Sequence, residues 1–190
     1  MLKTVYQILY TIGVRHSLVL VLIFAILLLT AYLLMLKTNT AILVKSSAFK
    51  EGGDVPAKFT CDGADVNPLL EIRNVPESAK SLALIVDDPD ATRGATWYHW
   101  LVWNIDPKTQ YIDEDTVPFG AVQGTGSGGK TKYMGPCPPR GNPPHRYRFN
   151  VYALDEMLDI PAGSDETVLI SAIQGRALAQ GTLIGLYGRK

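Results

Sequence analysis

Residues 17–36 read SLVLVLIFAILLLTAYLLML, without one charged side chain. At about 1.5 Å per helical residue such a stretch can cross a hydrocarbon core of about 30 Å, and it has no polar face with which to lie on a globular surface. The expectation is a transmembrane anchor over 17–36, with 1–16 as a tail, 37–46 as a linker and 47–190 as one folded domain. A cleaved signal peptide has a shorter apolar region and a small-residue cleavage site. Leu36-Lys37-Thr38-Asn39-Thr40-Ala41 offers a poor one, so the anchor is expected to stay attached. Lys3 and Arg15 precede the span while Lys37, Lys45 and Lys50 follow it, so the positive-inside bias barely discriminates. A short leading tail before one apolar segment is the pattern of a signal anchor, which places the domain outside the cytoplasm in a single-pass membrane protein.

The chain carries 18 basic and 18 acidic residues, and the first 44 residues hold three of the basic ones and no acid. The remainder therefore has fifteen basic against eighteen acidic side chains. Such a balance gives no footprint for nucleic acid, which is excluded as a partner. Cys61 and Cys137 are the chain's two cysteines, too few for a disulfide framework or a Cys-rich metal site. A single bridge between them is open outside the cytoplasm.

Beyond the linker, short apolar runs alternate with turn signals at Pro56, Cys61-Asp62-Gly63, Asn67-Pro68, Asn74-Val75-Pro76, Asp88-Pro89-Asp90 and Asp106-Pro107. This spacing predicts a mainly β, antiparallel domain. Ser81–Val86 reads as a strand covered on both faces. Over 96–105, period two places Trp97, His99, Leu101 and Trp103 on one face. Over 146–154, Tyr147, Phe149 and Val151 face one way and Arg146, Arg148 and Asn150 the other, with His145 on the apolar side. One short helix is expected in the C-terminal region, after Pro161-Ala162-Gly163, with Ser164 as N-cap and an end near Ala179. A strand TLIGLY closes the chain, and Gly120–Gly129 reads as a long loop.

Two of the three histidines lie in polar clusters, Val86-Asp87-Asp88-Pro89-Asp90 with Trp97-Tyr98-His99-Trp100, and Gly135-Pro136-Cys137-Pro138-Pro139 with His145-Arg146-Tyr147. Each aspartate alone is an ordinary turn former, and a lone buried histidine is more often satisfied structure than a ligand group. Their convergence at neighbouring strand ends points instead to a small pocket for an anionic or zwitterionic group, in which Asp88, Asp90, His99, Gly135, Cys137, Pro138, His145 and Tyr147 are the candidate ligand-binding residues. Gly124–Thr131 matches the phosphate-loop pattern G-x-x-x-x-G-K-[ST]. No buried strand precedes it and Tyr133-Met134-Gly135-Pro136 follows in place of a helix, so it is read as a loop. Two histidines and an aspartate permit a metal site but lack a compact ligand spacing, so no metal and no cofactor is expected. No Gly-x-Ser-x-Gly elbow is present, and Cys137 near His145 is the one conceivable nucleophile.

These motifs, together with Phe59-Thr60-Cys61-Asp62-Gly63, Asn67-Pro68 and Val151-Tyr152-Ala153-Leu154-Asp155, resemble the phosphatidylethanolamine-binding protein family in its bacterial and archaeal, Raf-kinase-inhibitor-like branch. The resemblance implies a β-sandwich of two antiparallel sheets with a small cavity for phosphate-type anions and phosphoethanolamine-like head groups. It assigns Asp88, His99, His145 and Tyr147 to that cavity and Gly135–Pro138 to one wall. Asp88 can hold a histidine tautomer or accept from an ammonium, and the other three can donate to phosphate. The chain departs from the family where the Asp-Pro-Asp-Ala-Pro turn continues as Ala91-Thr92 and so loses its second proline, where Gly175-Arg176 stands in place of Gly-His, and in its apolar amino-terminal span. The function expected is non-catalytic, regulatory binding of an anion or lipid head group at a membrane. Two alternatives are inhibition of a kinase or protease through protein contact, and acid/base hydrolase or lyase chemistry using Asp88 with His99 or His145.

Overall fold

The computed structural model describes residues 23–30, 41–91 and 94–190. Residues 23–30 are helical, and most of the expected anchor over 17–36 lies outside the described residues. Among the described residues no helix is long and apolar enough to cross a membrane.

The folded unit begins at Ala41, six residues before the expected boundary, because part of the presumed linker is a strand. That strand, β1 (Leu43–Lys45), pairs antiparallel with β3 (Leu70–Arg73), which pairs with β6 (Tyr111–Ile112). A second sheet of six strands runs in the order β2 (Gly53–Asp54), β9 (Ala177–Tyr187), β8 (His145–Leu154), β4 (Ser81–Asp88), β5 (Trp97–Ile105), β7 (Val122–Gln123). It is mixed rather than wholly antiparallel, since β2 runs parallel to β9. Strand β7 also falls within the stretch expected to be loop, paired to Val102 and Trp103.

Burial explains the layering. Every residue of β4 is buried, as its continuous apolar run requires. Leu82, Leu84 and Val86 join Val44, Leu70 and Ile72 of the small sheet, with Ile42, Tyr147, Phe149 and Val151, in one apolar cluster. On the other face Ala83, Ile85, Leu101 and Trp103 pack with Leu169 and Ile173 of the helix Glu166–Ile173. That helix is shorter than expected. Asp165, not Ser164, caps it by accepting from the Val168 N–H, and Gly175 at φ 78° ends it. The residues after Gly175 are drawn into β9 instead, where Ala177–Tyr187 pairs along the whole of β8.

Strand β5 carries two irregularities. Leu82 opposes Ile105 and Leu84 opposes Val102, while Val86 opposes Trp100 and Asp87 opposes Tyr98. At each step β5 has one residue more than β4, the definition of a bulge. Asn104, at φ 57°, lies in the first, and His99 is the extra residue of the second. Period two, which placed His99 with Leu101 and Trp103, is therefore broken at His99. Leu101 and Trp103 face the helix, whereas His99 turns with Trp100 toward the opposite face, its ring edge on to Tyr147 at 5.3 Å between centroids.

Candidate binding cleft

The ends of β4, β5 and β8 meet at a cleft of about 460 Å³. Its lining includes Asp88, His99, Gly135, Cys137, Pro138, His145 and Tyr147, seven of the eight candidate residues. The eighth, Asp90, turns away. Its carboxylate accepts from the backbone N–H, Nε and Nη2 of Arg146, at 2.9, 2.8 and 2.7 Å. These bonds from Arg146 hold its pKa down at about 2. Asp90 thus braces the turn after β4.

Alternation separates Asp87 from Asp88. Asp87 points to the helix side, where it takes Arg148 Nε and Nη2 at 2.6 and 3.0 Å and Asn150 Nδ2 at 3.2 Å. Burial raises its carboxyl above the usual range despite the Arg148 guanidinium. Asp88 points into the cleft. Its Oδ2 accepts from His145 Nδ1 at 2.8 Å and its Oδ1 from the Asp90 N–H at 2.8 Å. Both side chains of the Asp88–His145 pair are almost wholly buried. The bond leaves Nε2 as the polar ring atom of His145 still available in the cleft.

His99 Nδ1 lies 2.8 Å from the Met134 carbonyl oxygen. A carbonyl only accepts, so Nδ1 carries the proton. Burial holds His99 below the ordinary imidazole value of 6.5, outweighing the Met134 bond and the charges of Asp88 and Asp65. As pH falls through 6.5 the unfolded chain takes up this proton before the folded one, so the folded state loses stability on acidification. Urea denaturation between pH 7.5 and 5 is expected to show that loss in the native chain and a smaller one in His99→Asn. Equal slopes would refute it.

Tyr147 is fully buried, and its Oη makes no well-formed hydrogen bond although the Asp88 carboxylate and the Cys137 backbone lie close to it. Burial first, then the nearby negative charge of Asp88, pushes its phenol pKa well up, so it is a neutral donor. An orphaned buried hydroxyl facing a cleft is costly and calls for a ligand or water.

Gly135 shapes one wall. A Cβ there would stand 2.4 Å from the Phe59 carbonyl oxygen and 2.7 Å from Thr60 Cα, so the wall packs against the segment before Cys61 only because this residue has no side chain. Its N–H donates to Asp65 Oδ1 at 2.6 Å. Cys61 and Cys137 form a disulfide, Cα to Cα 5.4 Å, fastening the two segments together. The thiol nucleophile considered at Cys137 therefore does not exist.

The other lining residues, Cys61, Asp65, Ala91, Trp97, Lys130, Met134 and Pro139, were not among the candidate ligand-binding residues. Lys130 belongs to the phosphate-loop look-alike. No helix follows that loop; it folds back through Gly126 N–H to Lys130 carbonyl and Ser127 N–H to Tyr98 carbonyl bonds, which brings Lys130 to the cleft. Arg176 lies elsewhere, paired with Glu156 and donating to the Ala172 carbonyl near the helix end. Among the described residues no three His, Cys, Asp or Glu side chains converge as cation ligands.

The profile of the family described as Phosphatidylethanolamine-binding protein matches residues 45–188. A UPF0098 protein of Pyrococcus horikoshii is 44% identical over 151 residues, covering 76% of either chain. A Mycobacterium tuberculosis protein with a provisional lipoprotein name, LppC, is 38% identical over 144 residues, covering 76% of this chain and 71% of its own. Among solved structures, the Chlamydia trachomatis homologue CT736 superposes with a TM-score of 0.75 at 37% identity, over 80% of this chain and all of its own. Escherichia coli YbcL gives the same TM-score at 32% identity over the same shares.

Proposed function

Because the chain belongs to the phosphatidylethanolamine-binding protein family, we propose that its cleft binds a phosphate-type anion or phosphoethanolamine-like head group, without turnover, from a domain tethered at the outer side of a membrane. The observation that carries the reading is the convergence of Asp88, His99, His145 and Tyr147 on one cleft, where no well-formed hydrogen bond within the protein uses the Tyr147 hydroxyl. An anion oxygen would accept from it, beside the Nε2 atoms of His99 and His145. The Asp88–His145 pair supplies a fixed acceptor for an ammonium and orients the imidazole. With Cys137 locked in the disulfide, no cysteine thiol stands beside His145, which supports binding over covalent catalysis.

Tyr147→Phe separates ligand from fold. Deleting an unsatisfied hydroxyl is expected to leave stability unchanged or raise it by about 1 kcal/mol, while affinity for inorganic phosphate, read by calorimetric titration, falls about tenfold. Unchanged affinity would remove the cleft from the reading.

The tether and its side rest on the uncharged span over 17–36, the disulfide, which persists in oxidising compartments, and the lipoprotein name of one relative. Protease added to intact cells should digest the domain. Full protection until the cells are opened would place it inside.

A further inference from the structure

We propose that Cys61 is a site of thiol modification: a small-molecule thiolate attacks its sulfur in the Cys61–Cys137 bridge, and Cys137 leaves as a thiolate held by Arg189. Nothing in this step requires an anion in the cleft.

Two observations set this bridge apart from a buried structural one. Both cysteines are exposed residues and both line an open cleft, so a small thiol reaches them without unfolding the domain. Access and the character of the leaving sulfur govern thiol–disulfide exchange. The surroundings of the two sulfurs also differ. Arg189 donates from Nη1 to Cys137 Sγ at 3.6 Å, while its other edge, Nε and Nη2, is fixed on the Asp62 carboxylate at 2.8 Å each. Arg140 Nη2 lies 3.9 Å from the same carboxylate, so two guanidinium groups stand against one acid. With 21% of its side chain exposed, Arg189 is partly shielded from solvent and its field is screened little. Cys61 Sγ has no such donor among the described residues. A cation beside a thiol lowers its pKa from about 8.5, and the sulfur of the more acidic thiol leaves faster. Cys137 is therefore the sulfur that departs, and Cys61 receives the incoming thiol.

In the first step RS⁻ forms a sulfur–sulfur bond to Cys61 as the bond to Cys137 breaks, and the electron pair of the broken bond stays on Cys137. A second thiolate then attacks the RS sulfur of the adduct, forming RSSR and releasing the Cys61 thiolate. Over both steps two small thiols are oxidised to one disulfide and the bridge takes up two electrons. The segments around the bridge stay together meanwhile, because other bonds join them. The Cys61 N–H donates to the Pro136 carbonyl at 3.2 Å, the Gly135 N–H to Asp65 Oδ1 at 2.6 Å, and the Tyr133 hydroxyl to the Phe59 carbonyl at 3.0 Å. The Cys137 thiolate thus remains beside the adduct and expels the thiol again when its concentration falls. While present, an adduct on Cys61 occupies part of the cleft that Cys61 lines.

Reduced glutathione is the probe. The full chain in detergent micelles is treated with it, quenched with N-ethylmaleimide, digested and read by mass spectrometry. Without denaturant, glutathione is expected on the Cys61 peptide and maleimide on the Cys137 peptide, the reverse product being about tenfold rarer. Arg189→Gln removes the cation and should slow the exchange about tenfold while evening out the two adducts. Arg189→Lys keeps the charge and should retain most of the asymmetry. A merely structural role for Arg189 has the opposite effect on rate, since a loosened segment exposes the bridge further. Glutathione on Cys137 in equal or greater amount, adducts unchanged in Arg189→Gln, or a bridge that resists glutathione until urea unfolds the domain would each overturn the proposal. Should the Arg189 variants not fold, single-cysteine chains decide. The pH dependence of iodoacetamide alkylation should place the Cys137 thiol of Cys61→Ser below the Cys61 thiol of Cys137→Ser, and an equal or reversed order would overturn the assignment.

Discussion

His145→Ala is expected to destabilise the domain by about 1–3 kcal/mol, the cost of leaving a buried hydrogen-bond acceptor without its donor. The Asp88 carboxylate, of which 6% of the side chain is exposed, would keep the Asp90 N–H at 2.8 Å and lose the imidazole at the same distance. Asp88→Asn removes the charge, keeps an acceptor for Asp90, and should cost less. In the double variant Asp88→Asn with His145→Ala, no charge is stranded and part of the loss returns. The coupling is read from a double-mutant cycle of urea denaturation midpoints. A loss under about 1 kcal/mol for His145→Ala, or strict additivity, would mean that the pair is effectively solvated. The same variant should also weaken phosphate binding, since the available Nε2 disappears.

Removing the disulfide has an effect of similar size through a different route. Cys61 and Cys137 are 76 residues apart, and opening a loop of that length releases chain entropy in the unfolded state worth about 2–5 kcal/mol. The bridge is also local reinforcement. The Cys61 N–H donates to the Pro136 carbonyl at 3.2 Å, and Asp62 takes Arg189 Nε and Nη2 and the Tyr187 hydroxyl, each at 2.8 Å. Both cysteines line the cleft. Cys61→Ser with Cys137→Ser should therefore lower the urea midpoint and weaken phosphate affinity together, and dithiothreitol should do the same to the native chain and nothing further to the variant. Stability unaffected by either treatment would show that the surrounding hydrogen bonds alone hold the wall.

The three long central strands, and the polar clusters at their ends, were legible in the residues because each is a local pattern. Leu82–Val86 has no polar position to expose, and Tyr147, Phe149 and Val151 alternate cleanly with Arg146, Arg148 and Asn150. Seven of the eight candidate residues follow from those patterns and the family resemblance. What local pattern does not report are the features set by distant partners. Asp90 resembles Asp88 in sequence, yet Arg146 takes its carboxylate while Asp88 takes His145. The residues after Gly175 have helical composition, yet pairing with β8 along its whole length outweighs that weak preference. Lys130 was discounted with its loop because no periodicity reports that the loop folds back onto Tyr98.

By itself, then, the sequence determined where apolar runs begin and end, which side chains could share a strand face, and which polar groups stand at strand ends, because side-chain alternation and turn chemistry are properties of neighbours along the chain. Only the tertiary structure decided that His99 is an inserted residue. A bulge exists relative to the partner strand, and the extra residue in β5 appears only when Val86 is set against Trp100 and Asp87 against Tyr98. That single offset turns His99 from the helix face to the cleft and gives its Nδ1 to Met134.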